Sequence, residues 1–113
     1  MKRDSTALSQ SIVGAWRTSV RTTSFLVEQL PLSIWDAAIP AIPRRTIRST
    51  AAHLHNSRAR WIRTLGSEHG VRAPALVNIH SVSRSALLSA LGASGKGIED
   101  VLALGRHRRD VTI

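Results

Sequence analysis

With 113 residues the chain has room for one small domain, and its 42% hydrophobic content suffices for a core. It has no cysteine, which excludes disulfides, a thiolate nucleophile and Cys-ligated zinc. The formal charge of +9 is nearly all arginine and favours acidic partners.

The first helical pattern covers residues 6–30. Leu8, Ile12, Trp16, Ser19, Thr23, Leu26 and Leu30 recur at spacings of three and four, the mark of one buried face. Ala15, Val20 and Val27 widen the stripe, and Asp4 or Ser5 is the expected cap. Pro31 stops the helix. A loop over 31–45 follows, with prolines at 40 and 43 that forbid helix and favour extended backbone. Its apolar residues are expected to pack over the end of the bundle.

The second helix is predicted over 44–65, with Pro43 at its start and Gly66 just past its end. Ile47, Ala51, Leu54, Trp61 and Leu65 form the expected inward face, with Ile62 at its edge. Arg45, Arg48, Asn56, Arg60 and Arg63 form the outward one. Residues 67–82 read as a loop broken by Gly70 and Pro74 and carrying His69 and His80. The third helix is predicted over 83–104, capped by Ser81 or Ser83. Gly92, Gly95 and Gly97 each weaken it by up to about 1 kcal/mol relative to alanine, so a break is expected near 94–97. Residues 106–113 form a basic tail without helical periodicity, expected to be frayed. No strand pattern stands out. Three long helices joined by ordered loops predict an all-α, antiparallel, up-down bundle over residues 1–105.

Five histidines raise the question of a metal. His53 and His55 are two residues apart and point about 200° apart around a helix, so they cannot grip one ion together. The plainer expectation is a pair of boundary histidines that hydrogen-bond to neighbours or water. The seven acidic residues form no catalytic pair, and no nucleophile elbow, P-loop or dinucleotide fingerprint is present. Arg45, Arg48, Arg60 and Arg63 make a candidate nucleic-acid surface, with Arg106, Arg108 and Arg109 as an added arm. Aromatics for base stacking are few, since Trp16 and Trp61 sit on apolar stripes.

Several segments taken together carry a family resemblance: 30–36 (Leu-Pro-Leu-Ser-Ile-Trp-Asp), 42–47 (Ile-Pro-Arg-Arg-Thr-Ile), 51–56 (Ala-Ala-His-Leu-His-Asn) and Trp61-Ile62. This combination resembles the N-terminal half of DinB/YfiT-type proteins. The resemblance implies a four-helix bundle, often dimeric, with a divalent metal such as zinc or nickel held by three histidines. It implies thiol-dependent transferase or hydrolase-like chemistry in some members. Of the three ligands only His53 carries over. The chain reaches Ile113 without the family's His-x-x-x-His pair. The expectation is therefore a DinB-like, metal-dependent protein with an incomplete bundle and an incomplete centre. The alternatives are a basic nucleic-acid-binding module, or a structural or interaction protein that self-associates, most simply as a dimer. No apolar run approaches the ~20 residues of a membrane span, and the first residues lack a signal-peptide core. A cytoplasmic, membrane-free chain is expected.

Overall fold

The computed structural model describes the backbone over residues 2–111 and the side chains over residues 7–104. Its elements are α1 (Lys2–Gln29), α2 (Ile47–Gly66) and α3 (Arg84–Val111), with single 3-10 turns at Leu32–Ile34 and Ser67–His69. The all-α expectation holds. The described residues contain no strand, only one isolated bridge between Ala38 and Thr46.

Pro31 ends α1 as predicted, and Trp35 then turns beneath the bundle. Its indole N–H donates to the Val82 carbonyl at 3.2 Å, and the ring keeps only 4% of its surface. The proline loop closes on itself through Ile39 N–H to the Arg45 carbonyl and Ile47 N–H to the Ala37 carbonyl. Ala41 and Arg44 take left-handed backbone at φ 69° and 64°. That turn at Arg44 delays α2 to Ile47, three residues later than predicted. Thr46 starts the helix by accepting from Ser49 N–H, while the Ser49 hydroxyl accepts from Thr46 N–H, both at 3.0 Å.

Ser83 caps α3 by accepting from Ala86 N–H. The expected break at 94–97 is absent, and the helix continues past residue 104. Two of its glycines are packing positions. A Cβ on Gly95 would lie 2.7 Å from Val20 of α1, and one on Gly97 would lie 2.5 Å from Ile62 of α2. Being two residues apart, they face opposite sides of α3. α1 starts at Lys2, so the expected cap residues Asp4 and Ser5 lie within the helix, and α3 carries the expected tail in helical form as far as Val111; the side chains of both segments lie outside the described residues.

α3 is the central helix. α1 and α2 each pack along it and touch one another little. Arg84 bonds to the Leu30 carbonyl and Trp16 to the Gly95 carbonyl, so α1 and α3 are antiparallel. Arg58 meets Leu91, Ile62 meets Gly97, and Gly66 lies beside Val101. These pairs ascend together, so α2 and α3 are parallel. The expected up-down order is corrected at this connection. Residues 71–78 run back along α2 in extended form before a turn at 79–81 leads to α3, and at about 3.3 Å per residue the extended stretch covers most of the helix length of about 30 Å.

The phase of α2 is also corrected. Its buried residues are Ser49, Ala52, His55, Asn56, Arg58, Ala59, Ile62 and Gly66. Leu54, Trp61 and Leu65, expected inward, are 40%, 58% and 50% exposed. The returning segment explains this. Its extended backbone has no sheet to bond to, and the polar side of α2 supplies the partners. Asn56, expected to face outward, donates to the Val77 carbonyl at 3.0 Å and accepts from Val77 N–H at 2.9 Å. α1 shows a smaller rotation: Val27 is buried and Trp16, Val20, Thr23 and Leu30 are half-buried, whereas Leu8, Ile12 and Leu26 stand exposed.

Candidate functional site

Ala52, Ala59 and Gly66 recur every seven residues along α2. Their small side chains allow the close approach of α3 and of the returning segment. That spacing was the available sign that the polar side of α2, not its bulky stripe, faces inward. Of the bulky stripe, Ile47 and Ala51 pack against the core, whereas Leu54, Trp61 and Leu65 are left exposed. On α1 the sequence Leu8, Ile12, Ala15, Leu26 forms a second exposed apolar stripe. Arg58 and Trp16 locate both. The Arg58 guanidinium lies 4.9 Å from the Trp16 ring centroid, spanning from α2 to α1 over α3. Leu54 and Trp61 are helical neighbours of Arg58, with Leu65 one turn beyond Trp61, and Ile12 is a helical neighbour of Trp16. The two stripes therefore border one open face, with Trp16 and Arg58 at its floor.

Arg58 was not a candidate from sequence. It keeps 5% of its surface. Nη1 makes one long bond of 3.4 Å to the Leu91 carbonyl, and Nε is buried with no hydrogen-bond partner. Among the described residues no carboxylate pairs with it, and burial pushes its guanidinium below the usual range. The Trp16 face gives partial compensation through cation–π attraction.

His53 is half-buried at one end of this face. It borders an open hollow of about 490 Å³ with Ile39, Ile47, Thr50, Leu54 and Ser57. These neighbours offer hydroxyls and alkyl groups, and no group of three His, Cys, Asp or Glu that could hold an ion exists among the described residues. The donor set around His53 does not fit the three-imidazole centre that the resemblance implies. His55, expected at the boundary, is fully buried. Its Nε2 lies 2.8 Å from the Ala75 carbonyl, which can only accept, so Nε2 carries the proton. Nδ1 is left buried without a partner.

The four candidate nucleic-acid arginines are not brought together as one surface. Arg48 is a clip and not an outward residue: it pairs with Asp36 at 2.9 Å, donates to the His80 carbonyl at 2.8 Å and lies 6.0 Å from the Trp35 ring centroid. Arg45 is exposed in the proline loop, ahead of α2. Arg60 and Arg63 are exposed a turn apart, and Arg63 joins Arg72 and Ser67 around a shallow polar hollow. Across the molecule, Glu99 of α3 accepts from Arg17 of α1 at 2.8 Å and pairs with Lys96 at 3.2 Å. The Arg17 bond is the main cause that holds its carboxyl down to about 2.

Compared with known proteins, the chain matches no family model, no curated protein and no solved structure. No helix among the described residues is long and apolar enough to cross a membrane.

Proposed function

We propose that the chain is a helical interaction module whose open face, between α1 and α2, takes a helix from another polypeptide. The carrying observation is the exposed α2 stripe of Leu54, Trp61 and Leu65 opposite that of Leu8, Ile12 and Leu26. Large apolar residues aligned on two facing helices mark an interaction surface, whereas scattered ones need no explanation. An amphipathic helix laid in the groove would complete a four-helix arrangement around the Trp16–Arg58 floor.

The first three helices of a DinB-like bundle would border a comparable face, so the family resemblance is compatible with this role. Among the described residues, the surroundings of His53 supply no second ligand. The dimer expected from sequence would use the same face, but a second copy brings the same surplus of positive charge to it.

A neutral amphipathic helical peptide, with leucines at every third and fourth position, tests the proposal by NMR titration. Leu54 and Leu65 methyl signals and the Trp61 indole signal should shift, while the buried Trp35 indole stays in place. Trp61→Asp should abolish the effect. Shifts confined to other surfaces, or none, would remove the proposal.

A further inference from the structure

We propose that the helix docked on this face is acidic, and that one of its carboxylates pairs with Arg58. This inference rests on the docking face proposed above and names the chemistry of its occupant.

Arg58 is a permanently charged side chain, nine-tenths buried, with a single long hydrogen bond and an unpartnered Nε. A buried cation without a counter-charge is costly, and the Trp16 face offsets only part of that cost. Arg58 stands one helical turn from both Leu54 and Trp61, at the border of the surface a partner would cover. Closing that face with a neutral helix would remove water from the guanidinium and leave the charge more isolated. Closing it with a helix that carries Glu or Asp at the facing position supplies the missing acceptor. Guanidinium and carboxylate then meet in a setting where charged hydrogen bonds are strong.

The rest of the molecule points away from a second copy as occupant. Each copy has a formal charge of +9 and brings its own uncompensated Arg58. Of the acidic residues in the described region, Asp36, Glu99 and Asp100 are already held in ion pairs by Arg48, Arg17 and Lys96, and Glu28 and Glu68 are two exposed carboxylates against the +9 balance of each copy. The walls beside the stripes carry Thr18, Thr22, Thr50, Ser57 and Thr64 and no carboxylate. A partner with surplus negative charge matches both the whole-chain balance and the buried Arg58.

The test uses the full chain and two helical peptides about as long as α2, which has 20 residues. Both carry the same leucine stripe and differ only at the residue facing Arg58, Glu in one and Gln in the other. Calorimetric titration should show the Glu peptide binding about tenfold more tightly or better. The advantage should vanish with Arg58→Met while binding of the Gln peptide persists. If Arg58→Met fails to fold, the Glu-against-Gln comparison on the unaltered chain still decides. Equal affinity of the two peptides, with Leu54 and Trp61 signals perturbed by both, overturns the Arg58 pairing and leaves the docking face standing. Failure of both peptides to touch that face overturns the docking face itself. A stable dimer by light scattering whose interface buries Trp61 assigns the face to a second copy and overturns the acidic-partner proposal.

Discussion

Asn56 holds both main-chain groups of Val77 with one carboxamide, in the manner of a neighbouring strand. A shorter side chain leaves the returning segment without that support. Asn56→Ala should lower stability by about 2 kcal/mol, about 1 kcal/mol for each lost bond, read as a shift in the urea midpoint at unchanged slope. Asn56→Asp should cost at least as much at neutral pH, because it sets a carboxylate against the Val77 carbonyl. Neither effect is expected from sequence, where Asn56 belongs with the solvated arginines. Arg48 is a similar case. It reads as a surface charge and instead ties the proline loop to the returning segment through Asp36 and the His80 carbonyl. Polar residues are placed by the backbone groups they must satisfy, and that demand arises only once the loops are folded.

Among the elements, α3 shows how helix propensity and packing compete. Gly92 faces open space, so Gly92→Ala should stabilise the protein by up to about 1 kcal/mol. Gly97→Ala gains the same propensity but places a Cβ 2.5 Å from the fully buried Ile62. Overpacking of this kind costs about 1–3 kcal/mol, so the net effect should be destabilising. Thermal unfolding of the two variants side by side checks the opposite signs. The α1–α3 contact also carries a pH dependence. Glu99 is held at about 2 in the folded chain against an ordinary 4.5, so the folded state favours its charged form. Its contribution is complete above 4.5 and fades as the pH falls from 4.5 toward 2. The effect is modest, because Arg17 and Lys96 are solvated partners. The stability difference between the wild-type chain and Glu99→Gln should hold steady above that window and shrink across it, as measured by chemical denaturation at each pH.

At the scale of the molecule, the three helices form an open assembly. The radius of gyration is 16.3 Å, above the roughly 13 Å of a compact chain of about 100 residues. The longest dimension is 53 Å against 25 Å for each of the others. Helices of 28, 20 and 28 residues dictate the length, and a central α3 flanked by α1 and α2 leaves the fourth corner of the cross-section free. The parallel course of α2 and α3 follows from the long return segment. That segment occupies the side of α2 that an up-down bundle would give to a neighbouring helix. The bulky stripe of α2 is thereby turned toward the open corner, where the proposed partner binds.

The sequence by itself determined the helical class, the stop at Pro31 and a serine cap for α3 at Ser81 or Ser83, whereas the expected packing of the proline loop over the bundle is realised at Trp35 and not at the exposed Leu32, Ile34 and Ile42. The stop and the cap depend on local chemistry: proline's missing donor and a hydroxyl beside free amides. Only the tertiary structure decided which stripe of α2 is buried, that α3 stays unbroken through its glycines, and that Arg58 lies beneath the open face. α2 carries two stripes seven residues in period, one bulky and apolar, one small and polar. Apolar periodicity selects the bulky stripe. The choice was reversed by contacts remote in sequence, where Gly97 admits Ile62 and the 71–83 backbone requires His55 and Asn56.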